Sequence, residues 1–404
     1  MPLVVQKFGG TSVGDAERIR QVASHVARTV RRGNQVVLVV SAMGKETDEL
    51  LRLADAVARD RHGREMDMLV TAGERKAIAL VAMALHDQGI EGASFTGSQA
   101  GFVTDTNHQN AKILDLRTDR IRAALDAGMV PVVAGAQGVS TANDVTFLGR
   151  GGSDTTAVAL AYALGADVCE LYTDVSGVFS ADPRLVPAAR KMSTVSFDEL
   201  LEMTATGCPK PAMRSVEFAR SYNVPLHIRS AFTWETGTWV KEEDDTMEQA
   251  SVIAVTSDTS DGKITVSGLA DRPGVAGMLF RRLADDGVNV DMIVQNMSVD
   301  GIADISFTVP TEHFELSLRI AREALGEVGA RDVSGDAEMA KVSIVGSGMK
   351  TDPGVAARMF ETLAEAGINI EMISTSPIRT SCIIRREYAE TAVTALHAAF
   401  GLGG

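Results

Sequence analysis

Short apolar runs and longer helical stripes alternate along the first 230 or so residues. Val36–Val40, Val130–Ala134 and Val168–Thr173 are β-branched and almost continuously apolar, which suits central strands buried on both faces. Between such runs, Ile19, Val22, Ala23, Val26, Ala27 and Val30 recur at helical spacing and form one apolar stripe. This alternation predicts an α/β domain: a mostly parallel open sheet sandwiched by helices.

The pattern changes after an acidic, turn-rich stretch, Thr233–Gln249, which reads as a linker. Beyond it a unit occurs twice. Lys263-Ile-Thr-Val-Ser-Gly, Pro273-Gly-Val-Ala and Gly287-Val-Asn-Val-Asp-Met-Ile293 return as Lys341-Val-Ser-Ile-Val-Gly, Pro353-Gly-Val-Ala and Gly367-Ile-Asn-Ile-Glu-Met-Ile373, and 353 − 273 gives an offset of 80 residues. Each copy reads as a strand, a Pro-Gly turn opening a helix, and further strands, a small α+β module. The expected domains are therefore 1–232, a linker over 233–249, a first module over 250–336 and a second over 337–404, with 250–257 a strand able to pair with the second module.

Composition narrows the function. A length of 404 residues is enough for two or three domains. The net charge of −14 argues against a general clamp on nucleic-acid phosphates. Three cysteines, Cys169, Cys208 and Cys382, are odd in number and far apart, so neither a disulfide framework nor a C-x-x-C metal site is expected. The longest apolar run, Ala77–Leu85, is well short of the roughly 20 residues of a bilayer span, so no membrane partner is expected. Gln6 and Lys7 interrupt the apolar start, which is unlike a signal peptide. Cytoplasm is the expected location.

Glycine clusters follow the strands. Val4-Val-Gln-Lys-Phe-Gly-Gly-Thr-Ser12 runs a strand into a glycine pair before a helix starting near Asp15, which is either a phosphate cradle with Lys7 at its edge or a plain tight turn. Gly149-Arg-Gly-Gly-Ser-Asp154 precedes an Ala-rich helix; its unobstructed guanidinium suits a carboxylate or phosphate, the alternative being a solvated loop. Ser41-Ala-Met-Gly-Lys45, Thr71-Ala-Gly-Glu74 and Gly135-Ala-Gln-Gly138 fall at corresponding loops, where a parallel sheet binds ligands. Tyr172–Arg184 is an acid- and hydroxyl-bearing loop that suits a nucleotide or a simple turn. No Ser/His/Asp constellation and no metal-like histidine pair stands out. Phosphoryl transfer onto a carboxylate would need no base, since that acceptor is ionised at neutral pH.

Taken together, Lys7-Phe-Gly-Gly-Thr-Ser-Val-Gly14, Ser41-Ala-Met-Gly44, Ser94-Phe-Thr-Gly-Ser-Gln-Ala-Gly101, Gly149-Arg-Gly-Gly-Ser-Asp154, Thr173-Asp-Val175, Asp182-Pro-Arg184 and the repeat resemble the aspartokinases over essentially the whole chain. These are amino-acid kinases with paired C-terminal ACT modules of ferredoxin-like type. The resemblance implies ATP-dependent phosphorylation of the β-carboxylate of L-aspartate to 4-phospho-L-aspartate, at the start of lysine, threonine and methionine synthesis. By the same resemblance Lys7, Gly9, Gly10 and Asp154 serve phosphate transfer. Ser41, Thr47, Glu74, Gly135, Arg150 and Ser153 take the amino acid, Glu74 at its ammonium group and Arg150 at its α-carboxylate. Lys7, Gly10, Thr173, Asp174, Phe179, Asp182 and Arg184 surround ATP, and Mg²⁺ comes mainly with the nucleotide rather than through protein ligands.

Two departures from the family pattern are visible. Pro209 stands at the expected lysine, which leaves Lys210 as the nearby substitute for ATP and phosphate contact, and Pro377 replaces a common glutamate. In the repeat, Asp271, Gly274, Ala276, Asn289, Gln295, Asn369 and Ile370 match an effector pocket for lysine, threonine or both. The resemblance also implies a homodimer or higher oligomer through the ACT modules, with Met247 as an internal start for a separate regulatory subunit. Two competing readings are a kinase for another amino-acid carboxylate and a catalytically silent amino-acid sensor.

Overall fold

The computed structural model describes residues 1–59, 62–242, 251–270, 272–297 and 301–404. They form two compact units. Unit 1 comprises Met1–Val178, Lys191–Thr204 and the described residues from Pro209 to 242; unit 2 comprises Phe179–Arg190, Ala205–Cys208 and the described residues from 251 onward. No helix among the described residues is long and apolar enough to cross a membrane.

Unit 1 begins with β1 (Leu3–Phe8), α1 (Ala16–Arg31), β2 (Gln35–Val40), α2 (Glu46–Val57), α3 (Arg64–Val70) and α4 (Ala72–Asp87). There follow β3 (Gly92–Phe95), β4 (Phe102–Thr104), β5 (Ile113–Leu116), α5 (Asp119–Asp126), β6 (Val130–Ala134), β7 (Gln137–Ser140) and β8 (Val145–Phe147). The remainder is α6 (Gly152–Leu164), β9 (Val168–Thr173), β10 (Thr194–Ser196), α7 (Phe197–Ala205), α8 (Met213–Ser221), β11 (Leu226–Ser230) and β12 (Thr238–Lys241). Eight strands make the main sheet in the order β10-β12-β11-β9-β1-β2-β6-β3. Every neighbouring pair is parallel except β11 with β12. β4, β5, β7 and β8 form a separate small sheet.

The central strands are buried on both faces, as their continuous apolar runs require: Val36–Val40 and Val130–Ala134 are buried throughout. α1 lays Ile19, Val22, Ala23 and Val26 into the same core as Phe8, Leu38 and Val132. α6 is different, because buried residues line most of its circumference, so it crosses the interior and brings its polar first turn with it.

Unit 2 contains β13 (Ala254–Asp258), β14 (Asp261–Ala270), α9 (Val275–Asp285), β15 (Ile293–Met297), β16 (Ile302–Pro310), α10 (Phe314–Val328) and β17 (Asp332–Asp336). The second copy supplies β18 (Met339–Val345), α11 (Gly354–Glu365), β19 (Met372–Ser376), β20 (Arg379–Arg385) and α12 (Ala389–Ala399). Two four-stranded sheets result, β15-β16-β14-β17 and β13-β18-β20-β19. β13, which precedes the first copy, pairs antiparallel with β18 of the second, in the place that β17 holds beside β14.

The boundaries differ from those read in the sequence. Thr238–Lys241, inside the expected linker, is strand β12 with Thr238 and Val240 buried, because alternating side chains let it pair between β11 and β10. Residues 243–249 of that linker, and Met247 with them, lie outside the described residues. Two pieces of the expected first domain, Phe179–Arg190 and Ala205–Cys208, fold with unit 2.

The two copies are clasped by polar groups from equivalent positions. Lys341 Nζ lies 3.1 Å from Asp261 Oδ2 and 2.5 Å from Asp291 Oδ2, and Lys263 Nζ lies 2.8 Å from Glu371 Oε2. Asp291 and Glu371 are 371 − 291 = 80 residues apart, the repeat offset. Met292 and Met372, likewise equivalent, share a small core with Met339 and Ile383. Burial works against the charge of Lys341, but the two aspartates outweigh it and raise its pKa. Lys341→Ala leaves Asp261 buried and unpaired, so the variant is expected to lose about 3–5 kcal/mol of stability, read from urea unfolding of unit 2.

Candidate active site

The loops that leave β1, β2 and β6 are stitched into one rim. Gly44 N donates to Gly10 O at 2.9 Å, Ser41 N to Phe8 O at 3.2 Å, and Gly135 N to Val40 O at 2.9 Å. Such a rim of strand C-termini is where a parallel sheet holds ligands. Two glycines are fixed by close approach: a Cβ on Gly10 would sit 2.8 Å from Ala42 O, and one on Gly135 would sit 2.4 Å from Ser153 Oγ. Ser41 Oγ donates to Ser153 Oγ at 2.9 Å. Thr47 is partly buried in the first turn of α2.

Lys7 is the centre of the site. β1 carries it between β2 and β9, and its side chain turns to the first turn of α6, where Nζ lies 2.6 Å from Asp154 Oδ1 with both side chains almost fully buried. Burial alone would raise the pKa of Asp154; Lys7, with help from Lys210 and the Ala212 N–H, holds it below the usual carboxylate value. A Cβ on Gly9 would lie 3.4 Å from Lys7 Nζ, so the glycine pair passes close beside the ammonium. Ser12 Oγ is buried without a hydrogen-bond partner. A cation, backbone N–H groups and a free hydroxyl together suit phosphate oxygens.

Glu74 is buried in the first turn of α4. Its Oε1 accepts from Ala42 N at 3.3 Å, while Oε2 has no partner. Burial pushes its carboxyl up to about 7, and nearby Glu46 adds to the shift while backbone N–H groups oppose it. A buried, half-satisfied carboxyl beside the rim suits an ammonium group. Arg150 is exposed, between Gly149 and Gly151 in left-handed conformations with φ of 85° and 72°. The loop needs both glycines, since a Cβ on Gly151 would also lie 2.3 Å from Ala212 Cβ. Thr173 is buried at the end of β9, donating to Val175 O at 3.0 Å, and Asp174 beyond it is exposed.

Lys7, Gly9, Gly10, Ser41, Glu74, Gly135, Ser153 and Asp154 thus share one rim of unit 1. Phe179, Asp182 and Arg184 belong to unit 2, where Arg184 pairs with Asp182 at 2.6 Å. Of the effector candidates, Gly274 caps α9 with φ of 97°, Ala276 lies in its first turn, Asn289 precedes β15 and Gln295 is exposed on it. Asn369 and Ile370 hold the equivalent place before β19. Asp271 lies outside the described residues.

Sequence reading missed the residues that hold the loops. Asp67, fully buried in α3, accepts from Gln109 N at 2.9 Å, Phe147 N at 2.9 Å and His108 Nδ1 at 2.8 Å. Arg214 donates to Leu148 O and Ala111 O, both at 2.8 Å, and so fixes the base of the Arg150 loop. Beneath the cradle Tyr172 stacks on Phe8 and donates to Glu170, which also takes Gln6 and Arg229. Asp67 shares its short helix with Glu65, and nothing local marks which of the two acids is buried or names its partner.

A buried Lys–Asp pair beside a glycine pair, on the strand-end rim of a mostly parallel sheet, fits the class of α/β small-molecule kinases. Residues 2–230 match the amino acid kinase family, and residues 264–325 and 342–400 match the ACT domain. The aspartokinase of Mycolicibacterium smegmatis is 54% identical over 409 residues, covering 100% of this chain and 97% of the relative. Aspartate kinase from Synechocystis superposes with a TM-score of 0.56 at 42% identity, over 99% of this chain and 69% of that one. E. coli aspartokinase III, solved with aspartate and ADP in an R-state, shares the fold with a TM-score of 0.84 at 23% identity, over 98% of this chain and 99% of that one. The chain belongs to the aspartokinases of the amino acid kinase family.

The raised pKa of Glu74 has a stability consequence. Its protonated form is favoured by folding, so that contribution is fully present below the unfolded value near 4.5 and is lost as the pH rises through about 7. Without substrate, the protein is expected to lose stability relative to Glu74→Gln between pH 5 and 8, approaching about 3 kcal/mol. Thermal unfolding of both proteins across that range measures it.

Proposed function

We infer that this chain transfers the γ-phosphoryl group of ATP to the β-carboxylate of L-aspartate, giving ADP and 4-phospho-L-aspartate. The observation that carries the mechanism is the buried Lys7–Asp154 pair at the glycine cradle. The acceptor oxygen is already an anion at neutral pH, so it needs no general base. It attacks the γ-phosphorus, the bond from that phosphorus to the β,γ-bridging oxygen breaks, and ADP leaves with the electron pair. Catalysis is then positioning and charge stabilisation. Lys7 faces the transferring group and Asp154 keeps the ammonium oriented.

The amino acid is held at its other end. Arg150 takes the α-carboxylate, Glu74 the ammonium group, and Ser41, Thr47, Gly135 and Ser153 set the β-carboxylate toward the cradle. Gly9, Gly10, Thr173, Asp174 and Lys210 contribute to nucleotide or phosphate contact. Phe179, Asp182 and Arg184 join them on the strength of the resemblance alone. Among the described residues no cluster of three or more His, Cys, Asp or Glu could hold a metal ion. The donors at the cradle suit phosphate, so Mg²⁺ would be held through the triphosphate, where it neutralises phosphate charge.

The ACT modules support feedback by an amino acid. Lysine is the first candidate effector and threonine the second, acting through Gly274, Ala276, Gln295 and the Asn289 and Asn369 positions, with Asp271 by sequence. Assembly through these modules into a dimer or larger oligomer, an internal start at Met247 and a cytoplasmic location complete the reading.

Purified protein supplied with aspartate, ATP and hydroxylamine is expected to form aspartyl hydroxamate. Glutamate or N-acetylglutamate in place of aspartate should give little. Lys7→Ala should lower kcat at least 100-fold, and Arg150→Ala should raise the KM for aspartate at least tenfold with a smaller effect on kcat. Lysine or threonine binding without any hydroxamate would favour a silent sensor instead.

Binding an ammonium group beside Glu74 favours its ionised form, so aspartate must displace a proton below about pH 7. The KM for aspartate is expected to rise as the pH falls from 7.5 to 6 while the KM for ATP stays flat, and initial rates over that range report it.

A further inference from the structure

The chain leaves unit 1 twice within the sequence that flanks the nucleotide residues. After Thr173 and Asp174, Val178 is fixed in unit 1: its N–H donates to Thr238 Oγ1 at 2.9 Å and its C=O accepts from Met192 N at 2.9 Å. Between these anchors Phe179–Arg190 folds with unit 2. Farther on, Ala205–Cys208 does the same, ending immediately before Pro209 and Lys210. Both excursions are fastened to β13.

Ser180 holds the first excursion with every hydrogen-bonding group it has. Its N–H donates to Arg190 O at 2.9 Å and its C=O accepts from Val255 N of β13 at 2.8 Å. Its hydroxyl donates to Leu402 O at 3.0 Å, accepts from Arg190 N at 2.9 Å and meets His397 Nε2 at 3.0 Å. Since the single hydroxyl proton is already committed to Leu402, His397 must donate here from a protonated Nε2. Ala181 and Val186 sink into the second-module core beside Val255, Leu396 and Leu402, and Ala189 bridges to Gly403. In the second excursion Thr206 Oγ1 lies 2.6 Å from Thr256 Oγ1 of β13, both residues buried. A Cβ on Gly207 would lie 2.0 Å from Ser257 O of the same strand, so the chain passes without room for a side chain.

We propose that Ser180 and Thr206, with His397 and Thr256 as their partners, are positioning residues for the nucleotide. They fix, through the covalent chain, the segments that follow Thr173–Asp174 and precede Lys210. This rests on the reading of Thr173, Asp174 and Lys210 as nucleotide contacts.

The test uses full-length Ser180→Ala, Thr206→Val, His397→Ala and His397→Gln, with Asp174→Asn as the control on that reading. Initial rates give the KM for ATP, the KM for aspartate and kcat, and thermal unfolding gives the stability of each variant. Ser180→Ala, Thr206→Val and His397→Ala are expected to raise the KM for ATP about three- to tenfold, the size of one lost buried hydrogen bond, with the KM for aspartate within about twofold. His397→Gln, which keeps an N–H, should stay near the parent value. An unchanged KM for ATP in these variants while Asp174→Asn raises it would overturn the proposal and leave the nucleotide reading standing. No change in any of them, Asp174→Asn included, would overturn both. Equal increases in the two KM values, tracking the loss of thermal stability, would reduce the contacts to general structure and also overturn it.

Discussion

A single buried ion pair organises unit 1. Lys7 is almost inaccessible to water, and an unpaired ammonium there would be costly. Asp154 relieves that cost at 2.6 Å, and the pairing joins a strand to a helix 147 residues later in the chain (154 − 7). The requirement propagates outward. α6 must run through the interior to deliver Asp154, its first turn must be polar where the rest is apolar, and Gly135, Gly151 and Gly152 must lack side chains so that Ser153, Ala212, Ala136 and Leu148 can pack closely there. The pair leaves the Lys7 ammonium oriented toward the first turn of α6, with Gly9 close beside it.

The amino-acid end of the site follows the opposite logic. Glu74 is buried with one oxygen unsatisfied, and that burial brings its carboxyl near the boundary between neutral and charged. Lys7 and Asp154 are settled before any ligand arrives, whereas Glu74 is completed by one. Under the proposed function, that difference suits the Lys7 end to phosphate and the Glu74 end to an ammonium group.

Much of this was legible in the sequence, and the gaps have a common cause. Continuous β-branched runs marked β2, β6 and β9 because strands buried on both faces have no polar alternation to hide. The 80-residue repeat announced two modules, and glycine clusters after strands marked the rim. What stayed hidden depends on contacts between residues far apart in sequence. Nothing local tells that β13 pairs with the second module, that Thr238–Lys241 completes the large sheet, or that Ser180 belongs with His397, 217 positions away. Asp67 and Arg214 likewise act on loops they do not adjoin in the chain. Local patterns pointed to the candidate groups at the rim, and only the folded chain showed what holds them still.

Where Lys7 points when substrates are present decides whether it serves phosphate transfer. A crystal structure with aspartate and a non-hydrolysable ATP analogue measures this directly. Lys7 Nζ should lie within hydrogen-bond distance of a β- or γ-phosphate oxygen, with Asp154 still beside it and the amino acid on the Glu74 side of the rim. A nucleotide bound elsewhere, with Lys7 touching nothing but Asp154, would contradict that role.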